Sequence, residues 1–282
     1  MMQKVDDMAR KYVEFLTKQE VEELCKLHGV KLWRIARPSL DGMVTQEFCP
    51  ECQKLAIKKK EEEGIQRGLI NADIARGYQV FQKDSIISDD LRGASFKTFK
   101  AETDFDTRAL NFARRMCRDY YQGGSGNSVL IGPPGVGKSF LTLAMADGLN
   151  EVFKKSRIDN KPVTVVFMPV ARMFSKIKSS FNGGGKFTEE YAIDFLTKVN
   201  YLFLDDLGKE SSMSNAIKPA SDWVQGVLFN ILDARKTTII NTNFSRDKLL
   251  QIYDSALVDR IFKGSTKNKQ VLVYPKGSIS KR

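Results

Sequence analysis

Residues 132–139 read Gly-Pro-Pro-Gly-Val-Gly-Lys-Ser and satisfy G-x-x-x-x-G-K-[ST] at every fixed position. Such a run cradles phosphate oxygens. Gly132, Pro133, Pro134, Gly135, Val136 and Gly137 curl the backbone so that its N–H groups point inward, where a Cβ on the glycines would intrude. Lys138, Ser139 and Phe140 then open a helix, whose N-terminus adds positive potential. Lys138 is expected to reach the β- and γ-phosphates of ATP, and Ser139 to ligate Mg²⁺. The context sets the run apart from a chance glycine-rich turn: a short apolar strand, Val129-Leu130-Ile131, leads in and a helix leads out.

Phosphate chemistry of this kind needs a second acid near the metal. Leu202-Phe203-Leu204-Asp205-Asp206 supplies two, at the carboxyl end of an apolar strand, where open α/β sheets bind ligands. Asp205 is the expected Mg²⁺-side residue, and Asp206 the expected group for orienting or activating the attacking water. A third segment, Thr237-Thr238-Ile239-Ile240-Asn241-Thr242-Asn243, ends polar. On a strand lying between the other two, a polar residue at its end could hydrogen-bond the γ-phosphate or the water. An ordinary Asn-containing turn explains the same residues.

The elements that must position these residues alternate along the chain. Helical patterns cover 107–121, 140–153, 170–181 and 223–234, and apolar strands cover 129–131, 163–167, 201–204 and 237–240. Gly123-Gly124-Ser125-Gly126-Asn127 is a turn and Asn182-Gly183-Gly184-Gly185 a flexible loop. Strands separated by helices imply an α/β fold with a parallel sheet covered on both faces. Before it, Met8, Tyr12, Phe15, Leu16 and Leu24 recur at helix-like spacing over 8–27, and Lys58-Lys59-Lys60 followed by Glu61-Glu62-Glu63 reads as a polar helix and linker. The expected division is a small N-terminal domain over 1–60, a linker and lead-in over 61–105, and an ATPase domain over 106–282.

Of the 282 residues, 42% are hydrophobic and 28% charged, which argues against disorder, and the net charge of +11 points to a polyanionic partner such as nucleic acid. No apolar run has the length of a membrane span, and the charged start lacks the apolar core of a signal peptide, so a reducing cytoplasm is expected. Four cysteines there suit metal binding or burial better than disulfides. Cys25-x-x-His28 and Cys49-x-x-Cys52 form two close pairs, and a Cys₃His set suits a closed, structural Zn²⁺ site. Cys117 lies in a helical apolar pattern and reads as packing.

Several segments together resemble the DnaC/DnaI/IstB group of AAA+ ATPases. Leu204-Asp205-Asp206-Leu207-Gly208-Lys209-Glu210 is similar to that group's acid motif, and Leu228 to Arg235 followed by Thr-Ile-Ile-Asn-Thr-Asn is similar to its helix leading into the sensor-1 strand. Ser95-Phe96-Lys97-Thr98-Phe99 resembles the lead-in to the ATPase domain, and Cys-x-x-His-Gly with Cys-Pro-x-Cys resembles the start of phage-type DnaC-like proteins. The resemblance covers about 88–282. It implies a three-layer αβα sandwich, with a small zinc-binding helical and loop domain in front. It makes Asn243 the sensor-1 residue. Through Val258-Asp259-Arg260-Ile261 it makes Arg260 an arginine finger for ATP on a neighbouring subunit; the second arginine of many relatives is Ala256 here. With 22 residues after Arg260, no helical lid is expected.

The function implied is loading of a replicative DnaB-type helicase onto single-stranded DNA by a self-associating, weak ATPase, the N-terminal domain docking on the helicase. An IstB-like transposition helper assembling on duplex DNA is the other reading. Candidate DNA contacts are Arg172, Lys176 and Lys178, interleaved with Phe174 and Phe181, on a helix whose aromatics equally suit a core. Lys263, Lys267, Lys269, Lys276, Lys281 and Arg282 form a second basic group.

Overall fold

A computed structural model describes residues 19–39, 42–154, 157–158, 161–211, 217–266, 269–278 and 280–281. The chain divides into two compact units, Met1–Asn71 and Ala72–Arg282.

In the first unit, β1 (Gln19–Leu24), β2 (Lys31–Ser39) and β3 (Gly42–Phe48) form an antiparallel sheet in that order. Gln19 faces Arg34 and Trp33 faces Phe48 across the ladders, and Arg34 donates to Glu47 at 2.6 Å. This corrects the sequence expectation of a helical and loop domain. Of the expected helix over 8–27, Met8, Tyr12, Phe15 and Leu16 lie outside the described residues, and 19–24 is a strand. Val21 and Leu24 fit a helical spacing, but pairing with β2 prevails over the local pattern. Helix α1 (Pro50–Asp84) follows, and the division between the units falls within it.

The second unit is built on a five-stranded parallel sheet. Its strands are β4 (Ser128–Ile131), β5 (Val165–Pro169), β6 (Tyr201–Leu207), β7 (Thr238–Thr242) and β8 (Val271–Val273), in the spatial order β8-β4-β7-β6-β5. Alternation along each strand produces two cores. Val129, Val166, Met168, Leu202, Leu204 and Ile240 enter one face, with α4 (Val170–Ser180), α5 (Glu189–Lys198), α6 (Asp222–Asp233), α7 (Arg246–Ile252) and α8 (Ser255–Ile261). Leu130, Val165, Phe167, Tyr201, Phe203 and Ile239 enter the other, with α2 (Asp104–Tyr121) and α3 (Lys138–Phe153). The result is the expected αβα sandwich. Local chemistry sets the helix starts: Thr103 and Asp106 form a reciprocal capping box on α2, and Thr188, Ser221 and Asp254 cap α5, α6 and α8.

Arg235, at the head of β7, is only 3% exposed. It donates to the carbonyls of Leu196 at 2.5 Å, Val199 at 2.6 Å and Thr237 at 2.8 Å, and to Thr238 Oγ1 at 3.1 Å. Burial lowers its pKa to about 9. The guanidinium thus ties the last turn of α5 to β7, where carbonyls carry the negative end of the helix dipole. Arg235→Met should lower unfolding free energy by on the order of 3 kcal/mol, because it orphans several buried carbonyls. Urea denaturation checks this, and an unchanged midpoint would refute the tie.

Candidate functional site

The chain crosses from β4 into α3 through residues 132–137. Gly135 and Gly137 adopt φ of +85° and +87°, a region that costs any side-chain-bearing residue, so both glycines are required by the curl of the loop. Lys138 is buried at 4% exposure. Its Nζ donates to Gly132 O and Pro133 O, both at 2.8 Å, and to Asn243 Oδ1 at 2.7 Å. The ammonium is therefore held at the loop by neutral oxygens, which phosphate oxygens outcompete as partners for a cation. Asn243, which the resemblance makes the sensor-1 residue, reaches this ammonium because β7 lies between the loop strand β4 and the acid strand β6.

Asp205 is 6% exposed and accepts from Asn241 Nδ2 at 2.5 Å. Burial, followed by the neighbouring Asp206 carboxylate, pushes its pKa up to about 6, against hydrogen bonds from Asn241 and Ser139 and the charge of Lys138. A divalent cation between Ser139 and Asp205 would supply the charge that this carboxyl lacks. Asp206 has a left-handed backbone, φ +56°, at a register shift between Leu204 and Leu207 in the β6–β7 ladder. Such strain in a non-glycine residue persists only where its surroundings hold it. Here the Asp206 N–H donates to Asn241 Oδ1 at 2.8 Å. The shift takes Asp206 out of strand alternation, and its carboxylate pairs with Lys209 at 3.3 Å.

Asn241 is the residue that sequence reasoning passed over. It is fully buried, fixes the Asp205 carboxylate and the Asp206 backbone, and donates to Thr142 Oγ1 of α3 at 2.9 Å. A signal was present: a buried amide inside an apolar strand needs polar partners, and the acid strand was the expected neighbour. Asn241→Leu should reduce ATP turnover by about 100-fold, the usual scale for misplacing reacting groups. Steady-state rates check this, and a near-normal rate would show that the acids hold their places unaided.

These residues share one cavity of about 990 Å³, within the range of small-molecule and cofactor sites. Lys138, Ser139, Asp205, Asp206 and Asn243 line its polar part, and Ile86, Ile87, Leu91, Phe99 and Phe140 its apolar part. Arg260 is not among the lining residues. It sits on α8, where its Nε pairs with Asp233 at 2.5 Å and its guanidinium covers the Phe229 ring at 5.6 Å. The three basic residues of α4 separate. Arg172 lines the nucleotide-sized cavity, whereas Lys176 and Lys178 lie over the rings of Phe187 and Trp223 at 5.6 and 5.7 Å. Phe174 is core, and Phe181 is 60% exposed with its edge to Trp223. Of the second basic group, Lys267 and Arg282 lie outside the described residues.

In the first unit, Cys25, His28, Cys49 and Cys52 converge with all ligand atoms within 4.8 Å of one another. Cys25 opens the turn after β1, with its N–H bonded to Val30 O, and Gly29 takes φ +64° to close the knuckle. Cys49 and Cys52 flank the start of α1, where Cys52 N–H points at Cys49 Sγ at 3.4 Å. His28 Nδ1 lies 3.7, 3.6 and 3.3 Å from the sulfurs of Cys25, Cys49 and Cys52, and the sulfurs of Cys25 and Cys52 are 3.8 Å apart. Zinc–sulfur bonds of about 2.3 Å at tetrahedral angles give a sulfur–sulfur edge of about 3.8 Å, so the donor set fits that ion. Backbone donation from Leu27 and the His28 ring lower the Cys25 thiol to about 6, while burial and the neighbouring thiols raise Cys52 to about 11. No helix among the described residues is long and apolar enough to cross a membrane.

The sequence profile of the IstB-like ATP binding protein family matches residues 82–270. The chain belongs to that family. The match contains the loop, both acids, Asn243 and Arg260. Among curated proteins, the replicative helicase loader DnaC of Buchnera aphidicola subsp. Schizaphis graminum (strain Sg) is 23% identical over 176 residues, covering 61% of this chain and 64% of that protein. The DnaC of Buchnera aphidicola subsp. Acyrthosiphon pisum (strain APS) is 22% identical over the same length. The match thus spans a little under two thirds of these curated relatives. A solved structure of the DnaC helicase loader superposes with a TM-score of 0.51 at 22% identity, covering 67% of this chain and 100% of that one. That likeness is one of fold. The resemblance to the DnaC/DnaI/IstB group of AAA+ ATPases read from the acid and sensor segments is borne out.

Proposed function

We propose that this protein is an ATPase that loads a replicative DnaB-type helicase onto single-stranded DNA, with ATP as its assembly and release switch. The observation that carries this reading is the division of the site. Lys138, Ser139, Asp205, Asp206 and Asn243 converge in one cavity, while Arg260 is outside it on α8. A second copy completes the site by presenting Arg260 to the γ-phosphate. Hydrolysis then depends on assembly and is slow in the isolated chain. Ser139 and Asp205 hold Mg²⁺, and Asp206 orients water once its carboxylate leaves Lys209. The four-ligand cluster holds structural Zn²⁺ and shapes the unit that docks on the helicase. Lys176 and Lys178, beside the exposed Phe181, offer charge and an aromatic face to a single strand.

The loader reading draws on the curated relatives, which are helicase loaders by name. A transposition helper acting on duplex DNA is the second reading, because the matching family profile is IstB-like. The shared site has its own test. Arg260→Ala and Asp206→Asn should each abolish assembly-stimulated hydrolysis, and mixing them should restore part of it, since one pairing then holds both groups intact. Absence of recovery would overturn the shared site.

A further inference from the structure

The segment after β8 does more than extend the sheet. Tyr274 N–H donates to Ile131 O at 2.7 Å, and its ring lies on Gly132, where a Cβ would come 2.5 Å from Tyr274 Cβ. The chain turns at Pro275, with Ser278 N–H bonded to Pro275 O and Gly277 at φ +88°. Ser280 then lies against Gly135, where a Cβ would meet Ser280 Oγ at 2.4 Å. Lys281 N–H donates to Gly135 O at 2.9 Å. The segment therefore follows the phosphate loop from Gly132 to Gly135, and Gly137 faces the Lys281 side chain.

Lys281 continues past the loop. Its Nζ donates to Lys100 O at 2.6 Å, pairs with Asp106 Oδ2 at 3.0 Å, and sits 4.8 Å from the centroid of the Phe99 ring. Asp106 is 5% exposed and also accepts from the N–H groups of Glu102 and Thr103 at 3.1 and 3.0 Å. Burial disfavours the charged form of this carboxyl, but Lys281 and Thr103 outweigh it and hold the pKa below the ordinary value. One side chain thus joins the phosphate loop, the 99–100 lead-in and the first turn of α2. Phe99, Lys100, Gly135, Gly137 and Lys281 all line the ATP cavity. Phe99 belongs to its apolar part, which suits a base and ribose, whereas Gly135 belongs to the part that suits phosphates.

We propose that Lys281 is a positioning residue for the nucleotide: joined to Gly135, Lys100 and Asp106, it fixes the spacing between the phosphate loop and the Phe99 wall. It acts on the parts that ATP and ADP share, and its ammonium is engaged by Asp106 rather than by a γ-phosphate. The inference rests on the cavity being the nucleotide site, which Lys138→Ala tests separately, because normal nucleotide binding by that variant would remove the site itself.

The experiment measures ATP and ADP dissociation constants by titration calorimetry for full-length Lys281→Met, Lys281→Arg, Asp106→Asn and the double variant Lys281→Met/Asp106→Asn. Lys281→Met should weaken both nucleotides by about tenfold, the scale of one charge-assisted tie. Lys281→Arg should recover most of the affinity, and the double variant should lose no more than the weaker single variant. In turnover assays the loss should fall on KM rather than kcat. Wild-type affinity in Lys281→Met, a loss confined to ATP, additive losses in the double variant, or a loss confined to kcat would each overturn the proposal. Arg rescue keeps the test decisive if Lys281→Met melts early, since a protein that recovers its fold without its nucleotide affinity would also contradict it.

Discussion

Lys138→Ala lowers ATP turnover by about 100- to 1000-fold, the scale for losing one preorganised donor to a developing anion. The effect is one of charge placement. Lys138 is the buried cation at the loop, and it is aimed there by Gly132 O, Pro133 O and Asn243. Alanine leaves the loop's N–H groups to meet a triphosphate without that charge, so affinity falls as well as rate. Asp206→Asn separates the two effects. It keeps the Asp206 N–H bond to Asn241 and the shape of the bulge but removes the carboxylate proposed to orient the water, so ATP should still bind while hydrolysis fails. Calorimetry and steady-state rates on both variants check the pair. Normal turnover in Lys138→Ala would mean that ATP is processed elsewhere.

Loss of the proposed zinc should have the second large effect. Among the residues of the first unit whose side chains are described only Cys49 is buried, so β1, β2 and β3 have little core to hold them together. A structural zinc site contributes about 10–16 kcal/mol of binding free energy to the fold it closes. Purified protein should carry about one zinc per chain. Cys49→Ser should lose it, and hydrogen exchange should then show 19–48 unprotected while the ATP-binding unit keeps its protection. Elemental analysis together with exchange checks both halves. A metal-free protein with a protected 19–48 would show that the cluster is not a zinc site.

The ATPase unit was legible where the sequence carries a strong period or a fixed motif. The four apolar runs became β4 to β7, and their alternation sorts residues to the two cores. The glycine-rich loop and Asp205-Asp206 fall at strand ends because parallel strands present their carboxyl ends to one rim. Helices α7 and α8 have seven residues each, too few for a helical period to show. The N-terminal sheet was misread because apolar residues from Met8 to Leu24 recur at helix-like spacing, while the strand state of Gln19–Leu24 comes from pairing with Lys31–Ser39. Asn241 and Lys281 were passed over as parts of the site for a different reason. Their partners, Asp205 and Asp106, lie 36 and 175 residues away in the chain, and only the fold brings them together.

We propose that ATP in this cavity governs assembly with a replicative helicase. The most direct measurement is the mass, in solution, of complexes formed with the replicative helicase of the same cell, with ATP and without nucleotide. A defined complex that forms with ATP, is lost in Lys138→Ala and dissociates on hydrolysis is the predicted result. No complex under either condition, with the protein instead forming filaments on duplex DNA, would contradict it.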